Sequence, residues 1–234
     1  MFFDPMYLLF ALPGMALAMW AQYKVKSTFN KYAQVRNQTG LSGLDVARRL
    51  MQSEGLGYLR INQVPGQLTD FYNPADKSIN LSQSSVQPSI GSIAVVAHEL
   101  GHAVQDKQAY APMRIRGSIV GIANIGSQLG FYLVIGGLFL GAGRGTGLGF
   151  LLAVGGMILF SAAVAFSLVT LPVEFNASRR AREMLVANGL VTPQEQAQVK
   201  EVLDAAAMTY VAAAATSVLT LLYFAFRVFG GNRR

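Results

Sequence analysis

The sequence predicts a mainly α integral membrane protein, with four spanning helices and a small α+β region between the first and the second. Three observations carry this. Of 234 residues, 52% are apolar and only 13% charged, against about 25% charged in a typical soluble domain. Four stretches contain no Asp, Glu, Lys or Arg: 5–23, 117–143, 145–173 and 205–226. About 20 apolar residues span a bilayer as a helix, and so short a chain could not cover four such helices in water. The expected organisation is therefore a first span over 1–23, a polar region over 24–116, a helical hairpin over 117–173, a second polar region over 174–204, and a last span with its tail over 205–234.

The first stretch is read as an uncleaved span. Ala16-Leu17-Ala18 resembles a cleavage site, but a signal peptide opens with a basic segment. Here Asp4 precedes the apolar run, and Lys24, Lys26 and Lys31 follow it. Basic residues then orient the chain. Of the 19 Lys and Arg, 15 fall in the two polar regions; the others are Arg144, Arg227, Arg233 and Arg234. The positive-inside rule puts both polar regions in the cytoplasm and both termini outside, although Arg233 and Arg234 oppose it locally. The net charge of +7 is thus a topology signal. No basic stripe interleaved with aromatics points to nucleic acid, and no partner of that kind is expected.

Within the first polar region, 41–54 reads as a helix. Ser42 and Asp45 form a capping-box pattern, Leu44, Ala47, Leu50 and Met51 share a face, and Gly55 and Gly57 end it. Residues 58–64 and 66–82 read as β, with an Asn73-Pro74 turn signal that suggests a hairpin. Such a hairpin is either a template for an extended peptide or a plain support. From 88 to about 106 the pattern is helical, with Ile93, Val96, Leu100 and Val104 as a buried face.

That last helix carries His98-Glu99-Leu100-Gly101-His102. Residues four apart on a helix lie on one face, so His98 and His102 can bind one ion. Glu99 stands beside them, placed to take a proton from a water that the ion activates. The chain has two histidines and no cysteine, and both histidines stand in this motif. A catalytic zinc needs a third protein ligand, which must then be a carboxylate. Glu174, Glu183, Glu195, Glu201 and Asp204 are the candidates. Glu174 is favoured because it directly follows the third span, where Pro172 can begin or kink a helix and Ala177, Ser178 and Ala181 permit close packing. A carboxylate serving only the helix dipole is the alternative.

The segments Gly66-Gln-Leu-Thr-Asp-Phe-Tyr-Asn-Pro, Ile79-Asn-Leu-Ser, Ala97-His-Glu-Leu-Gly-His-Ala-Val-Gln and Leu171-Pro-Val-Glu-Phe-Asn-Ala-Ser-Arg-Arg-Ala resemble the YugP-like family of membrane zinc metallopeptidases. These are relatives of the HtpX and CAAX-prenyl-protease gluzincins. The resemblance implies a gluzincin-like α+β catalytic region, one zinc ion on His98, His102 and Glu174, and Glu99 as general base. It also implies that the hairpin lies at the substrate cleft. HtpX-type chains have an Asp four residues after the ligand Glu, where this chain has Ser178. A carboxylate there could orient a motif histidine, a role a hydroxyl fills only weakly.

A donor must meet the negative charge that builds on a scissile carbonyl. Arg182, Tyr72, Tyr110 and Tyr210 are the candidates, while Arg179 and Arg180 are expected to face solvent or lipid headgroups. In the glycine-rich hairpin, Gly137, Gly141, Gly145 and Gly149 suggest close helix approach or a flexible turn around Arg144. Asn124, Ser127 and Gln128 are expected to make interhelical hydrogen bonds.

The expected function is a membrane-embedded zinc endopeptidase. Its partners are the bilayer and a peptide or protein substrate, membrane proteins among them. Its oligomeric state is open. The competing readings are an exopeptidase on the same site and a non-catalytic adaptor with a structural metal, against which the intact Glu99 argues. A small-solute transporter lacks the charged residues that ion pathways place inside spans.

Overall fold

The computed structural model describes residues 5–230. Asp4, Arg233 and Arg234, which enter the topology argument, lie outside the described residues. The chain forms α1 (Pro5–Ala33), α2 (Gly43–Ser53), β1 (Arg60–Val64), β2 (Phe71–Asn73), β3 (Ser78–Ser82), a 3-10 turn (Gln83–Val86), α3 (Ile90–Lys107), α4 (Ala111–Phe139), a second 3-10 turn (Ala142–Arg144), α5 (Gly147–Ala187) and α6 (Pro193–Phe229). The architecture is mainly helical with one three-stranded sheet. Helices α1, α4, α5 and α6 are each long and apolar enough to cross a membrane.

The helices outrun the charge-free stretches. α1 continues to Ala33, ten residues beyond the expected end at 23. α5 runs unbroken for 41 residues with Pro172 inside it, so Pro172 does not begin a helix. A proline removes one hydrogen bond from the ladder, and the helix carries on past it. The structure divides into two compact units. One comprises Met1–Trp20, Arg114–Leu171 and Tyr210–Arg234; the other comprises Ala21–Met113 and Pro172–Thr209.

In the first unit, α4 and α5 meet through glycine. A Cβ on Gly126 would lie 2.3 Å from the Leu159 carbonyl oxygen, and one on Gly137 would lie 2.5 Å from that of Gly149. Gly141 and Gly145 instead turn the chain at φ 84° and 75°. The four hairpin glycines thus divide between close approach, at Gly137 and Gly149, and turn geometry. Among the described residues, the expected interhelical bonds of Asn124, Ser127 and Gln128 are absent. The Ser127 hydroxyl donates to the Asn124 carbonyl of its own helix, and no hydrogen bond among the described residues uses either amide. Asn124 and Gln128 are exposed, because α4 turns Gly126 and Gly130 toward α5.

In the second unit, Leu50, Leu56, Ile79, Leu81, Ile90, Ile93, Leu100 and Leu185 form a fully buried core. Each contributes on the order of 2 kcal/mol by leaving water. The capping box forms: the Ser42 hydroxyl accepts from the Asp45 N–H, and the Asp45 carboxylate accepts from the Ser42 N–H. The face of α2 is rotated from the expected one. Gly43, Val46, Ala47, Leu50 and Met51 are buried, whereas Leu44 is only half-buried. Gly43 explains the rotation, since a Cβ there would sit 1.8 Å from the Ser85 carbonyl oxygen.

The hairpin forms between β2 and β3, and β1 adds to it in parallel, giving the order β1-β3-β2. β3 is therefore central and buried along its whole length. Asp70 ties the hairpin to the turn that leads into α3. It accepts from the Ser82 N–H at 2.7 Å, the Ser82 hydroxyl at 2.7 Å and the Ser85 hydroxyl at 2.9 Å.

Candidate metal centre

α3 is the central helix of its unit. It starts at Ser89, whose hydroxyl accepts from the Ser92 N–H, and it is buried on nearly every side. At Gly101 it meets α5 backbone to backbone: a Cβ there would lie 2.5 Å from the Ala177 carbonyl oxygen. This contact sets the distance between the motif and the helix that carries Glu174. Gly101→Ala is expected to push the two helices apart, costing about 1–3 kcal/mol by overpacking and lowering zinc affinity with it. A thermal melt and a zinc titration check this; unchanged values in both would show that the contact is not limiting.

His98, His102 and Glu174 come together. Glu174 Oε2 lies 3.2 Å from His98 Nε2 and 3.5 Å from His102 Nε2. One ligand atom from each residue falls within 4.8 Å of the others. Glu174 is 1% exposed. A buried carboxylate converging with two imidazoles can hold a cation, and two nitrogens with one oxygen form a donor set that suits zinc. The residues present fit the metal.

The other four carboxylates lie away from the two histidines or have other partners. Glu183 is exposed. Glu195 accepts from the Gln38 N–H and from Thr192 at the start of α6. Glu201 accepts from the Tyr32 hydroxyl and Lys31, and Asp204 pairs with Lys200.

Glu99 is buried beside the histidines and accepts the Tyr72 N–H at 2.9 Å. Burial pushes its carboxyl above the usual carboxylate range, against the opposing pull of His98 and His102. Burial lowers the His102 imidazole, but the facing Glu174 carboxylate outweighs it and raises the group above its ordinary value.

Behind the ligands stand residues that the motif does not include. The Ser178 hydroxyl lies 3.2 Å from His98 Nδ1, so it reaches the ring that an aspartate there would orient. Gln105 Oε1 lies 3.0 Å from His102 Nδ1, and Gln105 Nε2 donates to the Val173 carbonyl and to Asn176 Oδ1. Gln105 falls three residues past His102 on the inward face, and that spacing was its only signal. Arg180 is not simply facing solvent or headgroups. Its Nε donates to Asn176 Oδ1 at 2.7 Å, and its guanidinium lies 6.0 Å from the Tyr110 ring.

Of the four candidate donors, Tyr72 reaches the site through its backbone. Its hydroxyl donates to Asp106 at 2.6 Å, and Lys77 meets the same carboxylate. Burial, then Asp106, raises the phenol above its ordinary value. Tyr110 follows α3 and packs against Arg180. Arg182 lines a cavity with Leu185, Val191, Pro193 and Gln196, to which none of the three ligands contributes. Tyr210 belongs to the other unit.

Residues 7–229 match the family described as "Putative neutral zinc metallopeptidase". The chain belongs to this family. It is 40% identical over 228 residues to the "Putative membrane protease YugP" of Bacillus subtilis (strain 168), covering 97% of this chain and 98% of that relative. No solved structure matches the chain. The family description and the donor set agree on zinc, and the relative's name agrees with the four membrane-length helices.

Proposed function

We propose that this member of the family is a membrane-embedded zinc endopeptidase whose site faces the cytoplasm, with Glu99 as general base. The convergence of His98, His102 and Glu174 beside a buried Glu99 is the observation that carries the reading. Zinc in such a ligand set supplies a Lewis acid that polarises a carbonyl and makes water acidic near neutral pH. The remaining work falls to the chain. The Glu99 carboxylate takes a proton from the attacking water as its oxygen bonds to the scissile carbon. It then passes that proton to the amine as the C–N bond breaks.

β2 supports a peptide substrate. It is an edge strand, and its Tyr72 N–H already faces Glu99. An extended peptide can lie along such an edge, and its side chains then set specificity. Purified protein is expected to cut internally quenched peptides at interior bonds and to stop on addition of a chelator. Release of single terminal residues would show an exopeptidase. Absence of cleavage with zinc bound would favour the non-catalytic adaptor.

The topology follows from the charge pattern. Tags near Gln52 and Gln196 are expected to report the cytoplasm, and a tag after Arg234 the outside. Opposite sides for the first two would be incompatible with Glu174 joining His98 and His102.

A further inference from the structure

We propose that Gln105, held by the Val173 carbonyl and by Asn176 and Arg180, fixes His102 Nδ1 as a hydrogen-bond donor, leaving Nε2, the nitrogen that faces Glu174, as the one available to a metal. The proposal deepens the zinc reading above and rests on it for its consequence, but the hydrogen-bond logic stands on the chain's own residues.

A guanidinium can only donate. Arg180 Nε lies 2.7 Å from Asn176 Oδ1, which fixes the oxygen end of that amide toward it. The same oxygen accepts from Gln105 Nε2 at 2.9 Å. The Val173 carbonyl, which can only accept, takes Gln105 Nε2 at 2.8 Å. Both neighbours demand the nitrogen end of the Gln105 amide, so its oxygen is turned to His102 Nδ1, 3.0 Å away. That oxygen can only accept, and Nδ1 must therefore carry a proton. With Nδ1 committed to Gln105, Nε2, which faces Glu174 at 3.5 Å, is the ring nitrogen left for a metal. Gln105 is 0% exposed, so water does not substitute for it.

His98 has no such constraint at Nδ1. Its Nδ1 meets the Ser178 hydroxyl, which donates or accepts equally well. The Nδ1 partner is thus fixed as an acceptor at His102 and undetermined at His98. Arg180, Asn176 and Gln105 are positioning residues: each acts through its neighbour on the ring of His102.

The test uses the full chain in detergent with 15N-labelled histidine. Two histidines give only two rings to assign. His102 is expected to show a protonated Nδ1 with and without zinc. Gln105→Leu is expected to lose that signature and to weaken zinc binding about 10–100-fold, as for other partners of ligand histidines. Arg180→Lys and Asn176→Asp keep the donor and the acceptor and should preserve both readouts. Arg180→Met should weaken zinc less than Gln105→Leu, because the Val173 carbonyl still orients the Gln105 amide. If Gln105→Leu does not fold, the wild-type His102 signature decides the Gln105 contact, and an Arg180→Met variant with wild-type zinc affinity removes Arg180 from the relay. An unprotonated His102 Nδ1 in the wild type overturns the proposal. So does a folded Gln105→Leu with the wild-type signature and zinc affinity. If the wild type binds no zinc, the metal reading falls, while the His102 signature still decides the relay.

Discussion

Glu99→Gln is expected to keep full zinc content and to lose peptide hydrolysis, by about 10²–10⁴-fold if proton transfer is all that it removes. The three ligand residues are untouched by the change. The glutamine oxygen can still accept the Tyr72 N–H that Glu99 Oε2 now accepts at 2.9 Å, so the local structure has no reason to move. An amide, however, cannot take the proton of an attacking water. Metal content and turnover are measured on the same preparation. Wild-type turnover at full zinc occupancy would remove Glu99 from the mechanism.

Glu174→Gln is expected to lose zinc. The substitution removes the one negative charge among the three ligand residues, at a position 1% exposed to solvent. Loss of a residue behind a metal ligand costs about 10–100-fold in affinity, and loss of the ligand itself should exceed that. Glu183→Gln is the control. Glu183 lies nine residues on, about half a turn round the helix, and it is exposed. Zinc per protein after dialysis separates the two variants. A Glu183 variant without zinc beside a fully loaded, active Glu174 variant would mean that the third ligand is misassigned.

The charge-free stretches locate the four long helices, but they miss where those helices stop. Charge marks the change of environment, whereas the backbone ladder continues wherever nothing interrupts it. Hence α1 ends at Ala33 and α5 carries both a span and Glu174. The hairpin is legible because its turn residues are local. The parallel pairing of β1 with β3 is not, since nothing near Arg60–Val64 names a partner eighteen residues on.

At the centre, His98, His102 and the favoured Glu174 are legible from spacing and from the scarcity of histidine. Gln105, Asn176 and Arg180 are not. An amide or a guanidinium on a helix has no pattern of its own, and its role depends on what a distant helix places opposite it. Asp70 escapes for the same reason: its partners Ser82 and Ser85 look like ordinary turn residues.

The residues of the candidate metal centre are divided between two helices, with 72 positions from His102 to Glu174. This separation imposes an order on biosynthesis. Ribosomes add about 5–20 residues per second, so Glu174 is made roughly 4–14 s after His102. Over that interval the nascent chain holds the motif helix without its third ligand, and a chain stalled before Glu174 should retain no zinc. A protease that faced the cytoplasm from the moment its motif appeared would threaten neighbouring nascent chains. On the proposed reading, hydrolytic competence waits until both helices of the α4–α5 hairpin have been synthesised.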